Sequence, residues 1–386
     1  MRAAVLLGLS AGVCAAEPHA ILRGVAVLPA DTFAPGPPSG QFDAQGRRAA
    51  VPRFRAQPVQ GISSVAATAD GTLVWALSDN GFGSKWNSPD FRLVIHQLQV
   101  RPDGARDARV RIVERIELRD PAGHFSWRLA EEAVPGRPLT GADLDPESMV
   151  VQPDGSFWIG DEFGPWLLHF SRRGELLSAP VAVRVPGLGE LRSPQHPQVL
   201  AGSSGPNLKG SSGIEGLAAS ADGRFLYAIL EGSLDVAAED AGTRRIIEFD
   251  PTRREFTGWQ WRYPVSAPTH AIGELTHWRG SEFLVIERDN LQGDTAQFKR
   301  IYSVDLGHAA TAGLLEKRLR VDLLAIDDPD RVAGPGPFRY PYLTIEALAP
   351  LGADSLLIVN DNNYPARGGR GADVPDATEW IWLQLR

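Results

Sequence analysis

The chain has 386 residues, a formal net charge of −8 and a sequence pI of about 5.6. This acidic balance argues against a nucleic-acid partner. Its single cysteine is Cys14, so the chain beyond that point has no disulfide, zinc–thiolate site, cysteine nucleophile or iron–sulfur cluster.

The first sixteen residues, Met1–Ala16, are typical of an export signal. Arg2 supplies a positive charge, an apolar run follows, and small residues around Cys14 offer a cleavage site. The run is too short for a membrane anchor, which needs about 20 apolar residues, and no later stretch is apolar enough to span a bilayer. We therefore expect a periplasmic or secreted protein. Lipid anchoring through Cys14 is the weaker alternative, because the bulky Val13 precedes it.

The remaining residues, 17–386, are predicted to form one all-β domain. Turn dipeptides recur along the chain and helical signals are scarce. A hairpin pattern occurs five times: an apolar run leads through a turn into a second apolar run that ends on acidic or amide side chains. Four copies also carry an acidic residue at the start of the first run. The copies begin near Gly61, Asp143, Gly213, Gly273 and Thr344.

Hairpins repeated at this spacing predict a single β-propeller built from four-stranded antiparallel blades. Each hairpin supplies the two strands nearest the axis, and the segments that follow supply the outer two. Ala20–Leu28 and Glu379–Leu385 also have strand character, and we expect them to pair and close the ring. Five copies and one blade from the termini make six blades; five or seven also fit the pattern.

Four segments rich in Pro, Gly or Ala are longer than simple turns. Loops of this length in a compact domain are either functional covers or disordered. On one face of the ring they would wall a pocket above the channel. They are Pro29–Pro58, Leu188–Ser212, Ala333–Tyr342 and Tyr364–Asp376.

Acidic residues in the repeats predict a metal site. Equivalent positions in successive blades face one another across the channel, and converging carboxylates need a counter-charge. Oxygen-only ligands favour a hard cation, with Ca²⁺ ahead of Mg²⁺. The predicted ligands are the leading residues Glu147, Glu215, Glu274 and Glu346 and the trailing residues Asp161, Glu162, Glu231, Asp289 and Asp361.

A simpler interpretation exists for several of these acids. A trailing Asp or Glu often caps a loop by accepting hydrogen bonds from backbone amides. The Asp154-Gly155 and Asp222-Gly223 turns need Asp for turn geometry alone. Arg288 lies inside an acidic stretch, where it forms either a structural salt bridge or a phosphate-orienting contact. No serine-hydrolase elbow, His-Glu-x-x-His motif, P-loop or dinucleotide-binding motif occurs in the sequence.

Several of these motifs, in this order, resemble the phytase-like family, whose members are described as having esterase-like activity. They are Asp145-Pro-Glu-Ser-Met, Pro153-Asp-Gly-Ser-Phe-Trp-Ile-Gly-Asp-Glu-Phe-Gly-Pro, Gly213-Ile-Glu-Gly-Leu-Ala, Glu287-Arg-Asp-Asn and Thr344-Ile-Glu-Ala-Leu. The resemblance covers roughly Gly61 to Asn363. It implies an exported β-propeller with an activity related to calcium-dependent phytases, and it adds Glu287 to the acidic motif positions. Asn80 and Asn207-Leu-Lys209 depart from the family pattern, which often has basic residues there.

The sequence therefore predicts a Ca²⁺-dependent hydrolase that acts on a small-molecule phosphate ester. The predicted catalytic residues are Glu215, Glu287, Arg288 and Lys209. A carboxylic esterase or lactonase on the same propeller is one alternative, and a non-catalytic binding propeller stabilised by calcium is another. The sequence leaves the oligomeric state open, and a monomer is assumed.

Overall fold

The computed structural model describes residues 19–101, 110–210, 212–234, 240–308 and 313–386. The predicted export signal, Met1–Ala16 with Cys14, lies outside these residues. The described chain contains five four-stranded antiparallel sheets. In each sheet the strand order runs from one inner strand outward, which is the construction of a propeller blade.

The first four blades follow the chain in order. Blade 1 contains β4 (Ile62–Ala67), β5 (Leu73–Ser78), β6 (Val94–Gln99) and β7 (Arg111–Glu117). Blade 2 contains β8 (Pro146–Val151), β9 (Phe157–Asp161), β10 (Trp166–Phe170) and β11 (Val181–Ala182). Blade 3 contains β14 (Ile214–Ala219), β15 (Leu226–Leu230), β16 (Thr243–Asp250) and β17 (Glu255–Pro264). Blade 4 contains β18 (Ala271–Arg279), β19 (Glu282–Arg288), β20 (Lys299–Asp305) and β21 (Lys317–Asp322).

Blade 5 joins the two ends of the described chain. It contains β22 (Thr344–Pro350), β23 (Ser355–Asp361), β24 (Thr378–Leu385) and β1 (Ala20–Leu28). β1 pairs antiparallel with β24 from Ala20 opposite Leu385 to Leu28 opposite Thr378. The predicted pairing of these strands is therefore confirmed. They complete the fifth blade and do not form a sixth, so the count of five lies at the lower end of the predicted range.

The inner strands close a ring around the channel. β4, β8, β14, β18 and β22 contact one another in this order, and β22 contacts β4 again. The short elements outside the blades are β2 (Phe33–Ala34), β3 (Gln57–Pro58), β12 (Arg184–Val185), β13 (Gly189–Glu190), α1 (Pro197–Leu200) and a 3-10 turn at Gly293–Thr295. None of the helices in the described ranges has the length and apolar character of a membrane span.

The core lies between neighbouring blades. Each of the five blade–blade contacts contains its own cluster of buried apolar side chains. Trp158 on β9 packs towards blade 3, whereas the next residue, Ile159, packs towards blade 1. Because both faces of a blade are covered, the second strands, such as β5, β15, β19 and β23, contain continuous apolar runs and do not alternate with polar residues.

The Asp–Gly turns serve the hairpins, as predicted. The Asp154 carboxylate accepts a hydrogen bond from the backbone amide of Ser156 at 2.9 Å, and Gly155 adopts φ 83°. Asp222 accepts the Arg224 amide at 3.1 Å in the same way, followed by Gly223 at φ 71°. These aspartates lie at the turns between the first two strands of their blades and have a conformational role.

Candidate functional site

A β-bulge recurs at the same place in all five inner strands. The pairing register with the second strand slips by one residue near the start of β4, β8, β14, β18 and β22. The extra residue in each case has no partner on the neighbouring strand, and bulges of this kind re-aim a side chain next to active sites. The five bulge residues are Ser63, Glu147, Glu215, Gly273 and Glu346.

Three of the predicted leading glutamates therefore occupy equivalent positions, but Glu274 does not. Gly273 takes the bulge position in blade 4, and Glu274 stands one residue later. An added Cβ at Gly273 would lie 2.1 Å from the backbone oxygen of Ile345 on β22, so no side chain fits there. Glu274 instead accepts hydrogen bonds from Ser64 Oγ at 3.2 Å and from the Leu275 amide at 2.9 Å. The predicted equivalence of Glu274 with the other three glutamates is wrong by one residue.

Nine carboxylates from four blades gather near the bulges, and we call them the acidic cluster. Its members come from bulge positions, from the ends of second strands and from the segments beside them. The charges of some members raise the pKa values of others. The acidic cluster consists of Asp79, Asp145, Glu147, Asp161, Glu162, Glu215, Glu231, Glu346 and Asp361.

The tightest part of the acidic cluster belongs to blade 2. One carboxylate oxygen from each of Asp145, Glu147 and Glu162 lies within 4.8 Å of the other two, and all three side chains are buried. Asp145 was missing from the predicted ligands. The sequence did carry a signal for it, because Asp145 stands two residues before Glu147, and residues at i and i+2 of a strand point to the same face.

Burial is the main cause of the raised pKa of each carboxyl in the acidic cluster. It raises the pKa of Asp145 to about 6 and those of Asp161 and Asp361 to about 7. For Glu147 and Glu162 the pKa lies well above the ordinary value, because the charges of neighbouring carboxylates add to burial. A cation among these groups would favour their ionised forms.

Two basic side chains, the buried Arg288 and the half-buried Lys85, supply part of the counter-charge. The Arg288 guanidinium donates to Glu346 Oε1 at 2.9 Å and to Asn290 Oδ1 at 2.8 Å, and it lies 3.7 Å from Glu231 Oε1. Lys85 donates to the backbone oxygen of Ala142. Burial lowers its pKa, while the charges of Asp143, Asp161 and Asp145 act in the opposite direction.

The residues of blade 2 fit a calcium ion. Glu162 Oε1 is a buried acceptor without a hydrogen-bond partner among the residues described. Such an orphaned oxygen carries a desolvation cost unless a cation or donor compensates it. The donor set of Asp145, Glu147 and Glu162 consists of carboxylate oxygens alone, which suits a hard cation of high coordination number such as Ca²⁺.

Two of the predicted trailing acids also hold the loops that follow their strands. Asp161 accepts hydrogen bonds from the backbone amides of Asp145 at 2.8 Å and Gly164 at 2.6 Å. Asp361 accepts the Asn363 amide at 2.7 Å. These contacts fix the orientation of both carboxylates within the acidic cluster, which is the usual task of groups that support a ligand shell.

Glu287 takes part in a different network. Its carboxylate accepts hydrogen bonds from Tyr263 Oη at 2.8 Å and from the Ser266 amide at 2.6 Å, lies 2.9 Å from His270 Nδ1, and is paired with Lys317. These partners belong to the outer strands of blades 3 and 4 and to the connection between them. A catalytic role for Glu287 stays a prediction, and its contacts are those of a tie between two blades.

Asp289 also lies apart from the blade 2 carboxylates. Asp289 accepts the amides of Gln297 and Phe298 at 2.8 and 2.9 Å and pairs with Lys299 at 3.0 Å, so it acts as a loop cap. Lys209 is exposed on the loop that leads to β14. The structure thus gathers seven of the nine predicted metal ligands in the acidic cluster. The buried Glu274 borders the cluster, since burial and the charge of Glu346 both raise its pKa, whereas Asp289 is a loop cap outside it.

A cavity of about 220 Å³ opens beside the acidic cluster. Parts of two predicted long loops form its walls, together with the segments that follow β5 and β23. The lining residues are Gly40, Phe42, Arg53, Phe54, Gly81, Phe82, Gly83, Asn87, Asn363, Tyr364 and Pro365. Two of the four predicted long loops, Pro29–Pro58 and Tyr364–Asp376, thus contribute to this cavity, whereas Leu188–Ser212 and Ala333–Tyr342 do not line it.

Fold and site together define a five-bladed β-propeller with an acidic cluster at the channel. The sequence pattern of the phytase-like family, described as "Esterase-like activity of phytase", matches residues 57–364. The chain therefore belongs to the phytase-like family, in agreement with the predicted resemblance.

One similar curated protein is an "Uncharacterized secreted protein" from Arthroderma benhamiae. The two sequences are 25% identical over 300 residues. The match covers 59% of this chain and 57% of the relative. The chain thus spans a little over half the length of the relative that it matches.

Solved structures are similar only at a low level. A GH43 beta-1,3-galactosidase with bound galactodeoxynojirimycin has a TM-score of 0.43 at 13% identity, over 86% of this chain and 92% of that one. A luciferin-regenerating enzyme has a TM-score of 0.41 at 10% identity, over 84% and 94%. Similarity at this level carries no inference about the activity of this chain.

Proposed function

We propose that the protein is an exported, cation-dependent hydrolase of ester bonds, acting at the acidic cluster, with phosphate esters as its first substrate class. The observation that carries the proposal is the buried group of Asp145, Glu147 and Glu162, whose oxygens lie within 4.8 Å of one another. Family membership supports ester hydrolysis in general. The predicted export signal, and the secreted relative, support export.

Asp145, Glu147 and Glu162 would hold the cation, with Asp161 orienting the Asp145 backbone through its 2.8 Å hydrogen bond. A bound Ca²⁺ would polarise a substrate oxygen and lower the cost of negative charge in the transition state. Buried carboxylates of this kind have affinity for a divalent cation because burial and mutual repulsion otherwise disfavour their ionised forms.

Glu215 is the proposed general base. It occupies the bulge position of blade 3, next to that of blade 2, and burial raises its pKa, which makes its ionised form a stronger base. As the oxygen of water bonds to phosphorus, Glu215 takes its proton. The bond between phosphorus and the ester oxygen then breaks, and the alcohol leaves with that proton. Burial raises the pKa of Glu346, and Arg288 opposes this rise through its 2.9 Å hydrogen bond, so Arg288 acts as a positioning residue.

A carboxylic ester is the second candidate substrate class. The specific observation in its favour is that two basic side chains beside the acidic cluster, Arg288 and Lys85, are already engaged. Arg288 is bonded to Glu346 and Asn290, and Lys85 is bonded to Ala142. A doubly charged phosphate group needs more positive charge than a neutral carbonyl group, and the exposed Lys209 is the predicted residue to supply it.

The test is hydrolysis by the purified chain without residues 1–16, measured in Ca²⁺ and in EDTA. The substrates are 4-nitrophenyl phosphate, phytate and 4-nitrophenyl acetate. Calcium-dependent phosphate release is the expected result, and calcium-dependent cleavage of the acetate alone would move the assignment to the second class. Absence of turnover on all three, with a melting temperature raised by calcium, would replace the enzyme with a binding propeller.

Glu162→Gln is the matched variant for the cation. It removes one charge at nearly constant shape, and we expect kcat/KM to fall by about tenfold or more, with a higher calcium requirement. Asp222→Asn changes an exposed carboxylate in a turn of blade 3 and is the control. Equal activity of Glu162→Gln and the wild-type protein across a calcium titration would remove Glu162 from the site.

A further inference from the structure

The cavity beside the acidic cluster has aromatic walls. The ring of Phe54 lies centrally, with its centroid 5.6 Å from that of Phe33, 6.0 Å from Phe82 and 5.5 Å from Tyr364. All four rings are only partly covered by the rest of the chain. Partly exposed aromatic side chains gathered around one cavity mark a binding surface, whereas single ones are ordinary.

Two four-residue segments in neighbouring blades each join the acidic cluster to this cavity. After β5 the sequence reads Asp79-Asn80-Gly81-Phe82, and after β23 it reads Asp361-Asn362-Asn363-Tyr364. In both segments the carboxylate belongs to the acidic cluster and the aromatic residue three positions later lines the cavity. Three residues span at most about 10 Å, so one small molecule can reach from the cluster into the cavity.

Hydrogen bonds fix both segments. Asn80 donates to Asp145 Oδ2 at 2.8 Å and accepts the Gly83 amide at 2.8 Å. Asn87 donates to the Phe82 backbone oxygen at 2.6 Å. On the other side, the Asn363 amide donates to Asp361 Oδ1 at 2.7 Å. The walls are therefore held in place by residues that also contact the acidic cluster.

Size and charge indicate what the cavity accepts. A closed cavity of about 150 Å³ with apolar walls holds benzene. This open one measures about 220 Å³, and polar groups of Asn87 and Asn363 line it beside the aromatic rings. Among its lining residues only Arg53 carries a formal charge, and the Arg53 guanidinium lies 5.2 Å from the centroid of Phe54. A polyanion such as phytate would place several phosphate groups against aromatic rings. A planar apolar group would instead stack on them.

We propose that this cavity binds an aromatic group of the substrate, so that the natural substrates are esters with an aryl or similarly planar apolar part. This inference rests on the proposed function, since the ester bond is placed at the acidic cluster. Phe54, Phe82 and Tyr364 are the specificity-determining residues, with Arg53 and Asn363 at the rim.

The experiment compares kcat and KM for 1-naphthyl phosphate, glycerol 2-phosphate and glucose 6-phosphate, together with the acetate esters of 1-naphthol and ethanol. Tyr364→Leu and Phe54→Leu are the variants, and Trp259→Leu is the control because Trp259 is exposed on the outer strand β17 of blade 3. We expect the two cavity variants to raise KM for naphthyl esters by about tenfold and to leave values for the alkyl esters within error.

A binding measurement separates this inference from the proposed function. Equilibrium binding of 1-naphthylmethylphosphonate, which is not hydrolysed, is measured by calorimetry in Ca²⁺ for the wild type and the three variants. If no ester is hydrolysed but the phosphonate binds and Tyr364→Leu weakens binding about tenfold, the aromatic site stands and the hydrolase does not. If esters are hydrolysed with equal kcat/KM for naphthyl and alkyl groups, or glucose 6-phosphate is preferred, the aromatic site is overturned.

Discussion

At the scale of single residues, one buried histidine without a hydrogen-bond partner at Nδ1 makes the stability of the protein depend on pH. His96 on β6 is buried, and its Nδ1 has no hydrogen-bond partner among the described residues. Burial, together with the nearby charge of Arg115, lowers the pKa of His96 to about 3. The folded protein therefore keeps this histidine neutral at pH values where the unfolded chain already binds a proton.

We expect His96 to destabilise the protein in mild acid. Protonation of this histidine does not affect the free energy of unfolding above pH 6.5. The free energy of unfolding then decreases as the pH falls towards 3, with a slope approaching about 1.4 kcal/mol per pH unit. Denaturant unfolding of wild type and His96→Gln between pH 4 and 8 measures the difference. His308→Gln, on the surface, controls for the loss of a histidine. Parallel pH profiles of wild type and His96→Gln would contradict a buried neutral His96.

The alternation of residues along a strand also bears on Glu287, whose catalytic role stays a prediction. Glu287 and Arg288 are consecutive on β19, and consecutive residues of a strand point to opposite faces. Only one of them can face the acidic cluster, and it is Arg288, through Glu346. The alternation was visible in the sequence. The partners that bury Glu287, such as Lys317 at the start of β21, come from distant strands and were not.

At the scale of elements, the bulge in the inner strand decides which side chains reach the channel. The hairpins, their turns and the pairing of β1 with β24 followed from apolar runs and turn residues in the sequence. The bulges did not, because a one-residue slip depends on the register between two strands. This is why Glu274 was grouped with Glu147, Glu215 and Glu346, although Gly273 holds the equivalent position.

We expect Gly273→Ala to destabilise the contact between β18 and β22. The new Cβ would lie 2.1 Å from the backbone oxygen of Ile345, and a backbone atom in a closed ring cannot move away cheaply. Strain of this kind costs about 1–3 kcal/mol in unfolding free energy, measured by urea unfolding. Gly205→Ala is the matched control, since nothing lies within 4 Å of its added Cβ, and its effect should stay within about 0.5 kcal/mol. An equal cost for both variants would rule out the steric explanation.

At the scale of the whole molecule, ring closure depends on a strand from one end of the chain. Leu22 on β1 belongs to the buried cluster between blades 4 and 5, whereas its neighbour Arg23 is exposed and paired with Asp330 at 3.1 Å. Leu22→Ala should lower the unfolding free energy by about 2–5 kcal/mol. Arg23→Ala should change it by no more than about 1 kcal/mol. Similar losses in both variants, measured by thermal unfolding, would mean that β1 does not hold the ring closed.

All five blades contribute charged side chains at the acidic cluster. Blades 1, 2, 3 and 5 supply its carboxylates, and blade 4 supplies Arg288. The proposed cation would stabilise the closed ring if it bound only to the folded chain. Under that condition binding adds about 2.7 kcal/mol to the unfolding free energy at a cation concentration 100 times its dissociation constant. We therefore expect Ca²⁺ to raise the midpoint of one cooperative thermal transition rather than that of a single blade.

Glu215→Gln tests this coupling between the blades. Glu215 lies on blade 3, yet its pKa responds to the charges of Glu231, Glu346 and Glu162, which belong to blades 3, 5 and 2. In EDTA the variant removes one of several repelling charges and should melt at or above the wild-type temperature. In Ca²⁺ it should gain less from the cation and melt below the wild type. Calorimetry in both conditions, with Asp222→Asn as control, gives the comparison. Equal shifts in Ca²⁺ and EDTA would separate Glu215 from the cation, and the general base proposed above would then act without a metal beside it.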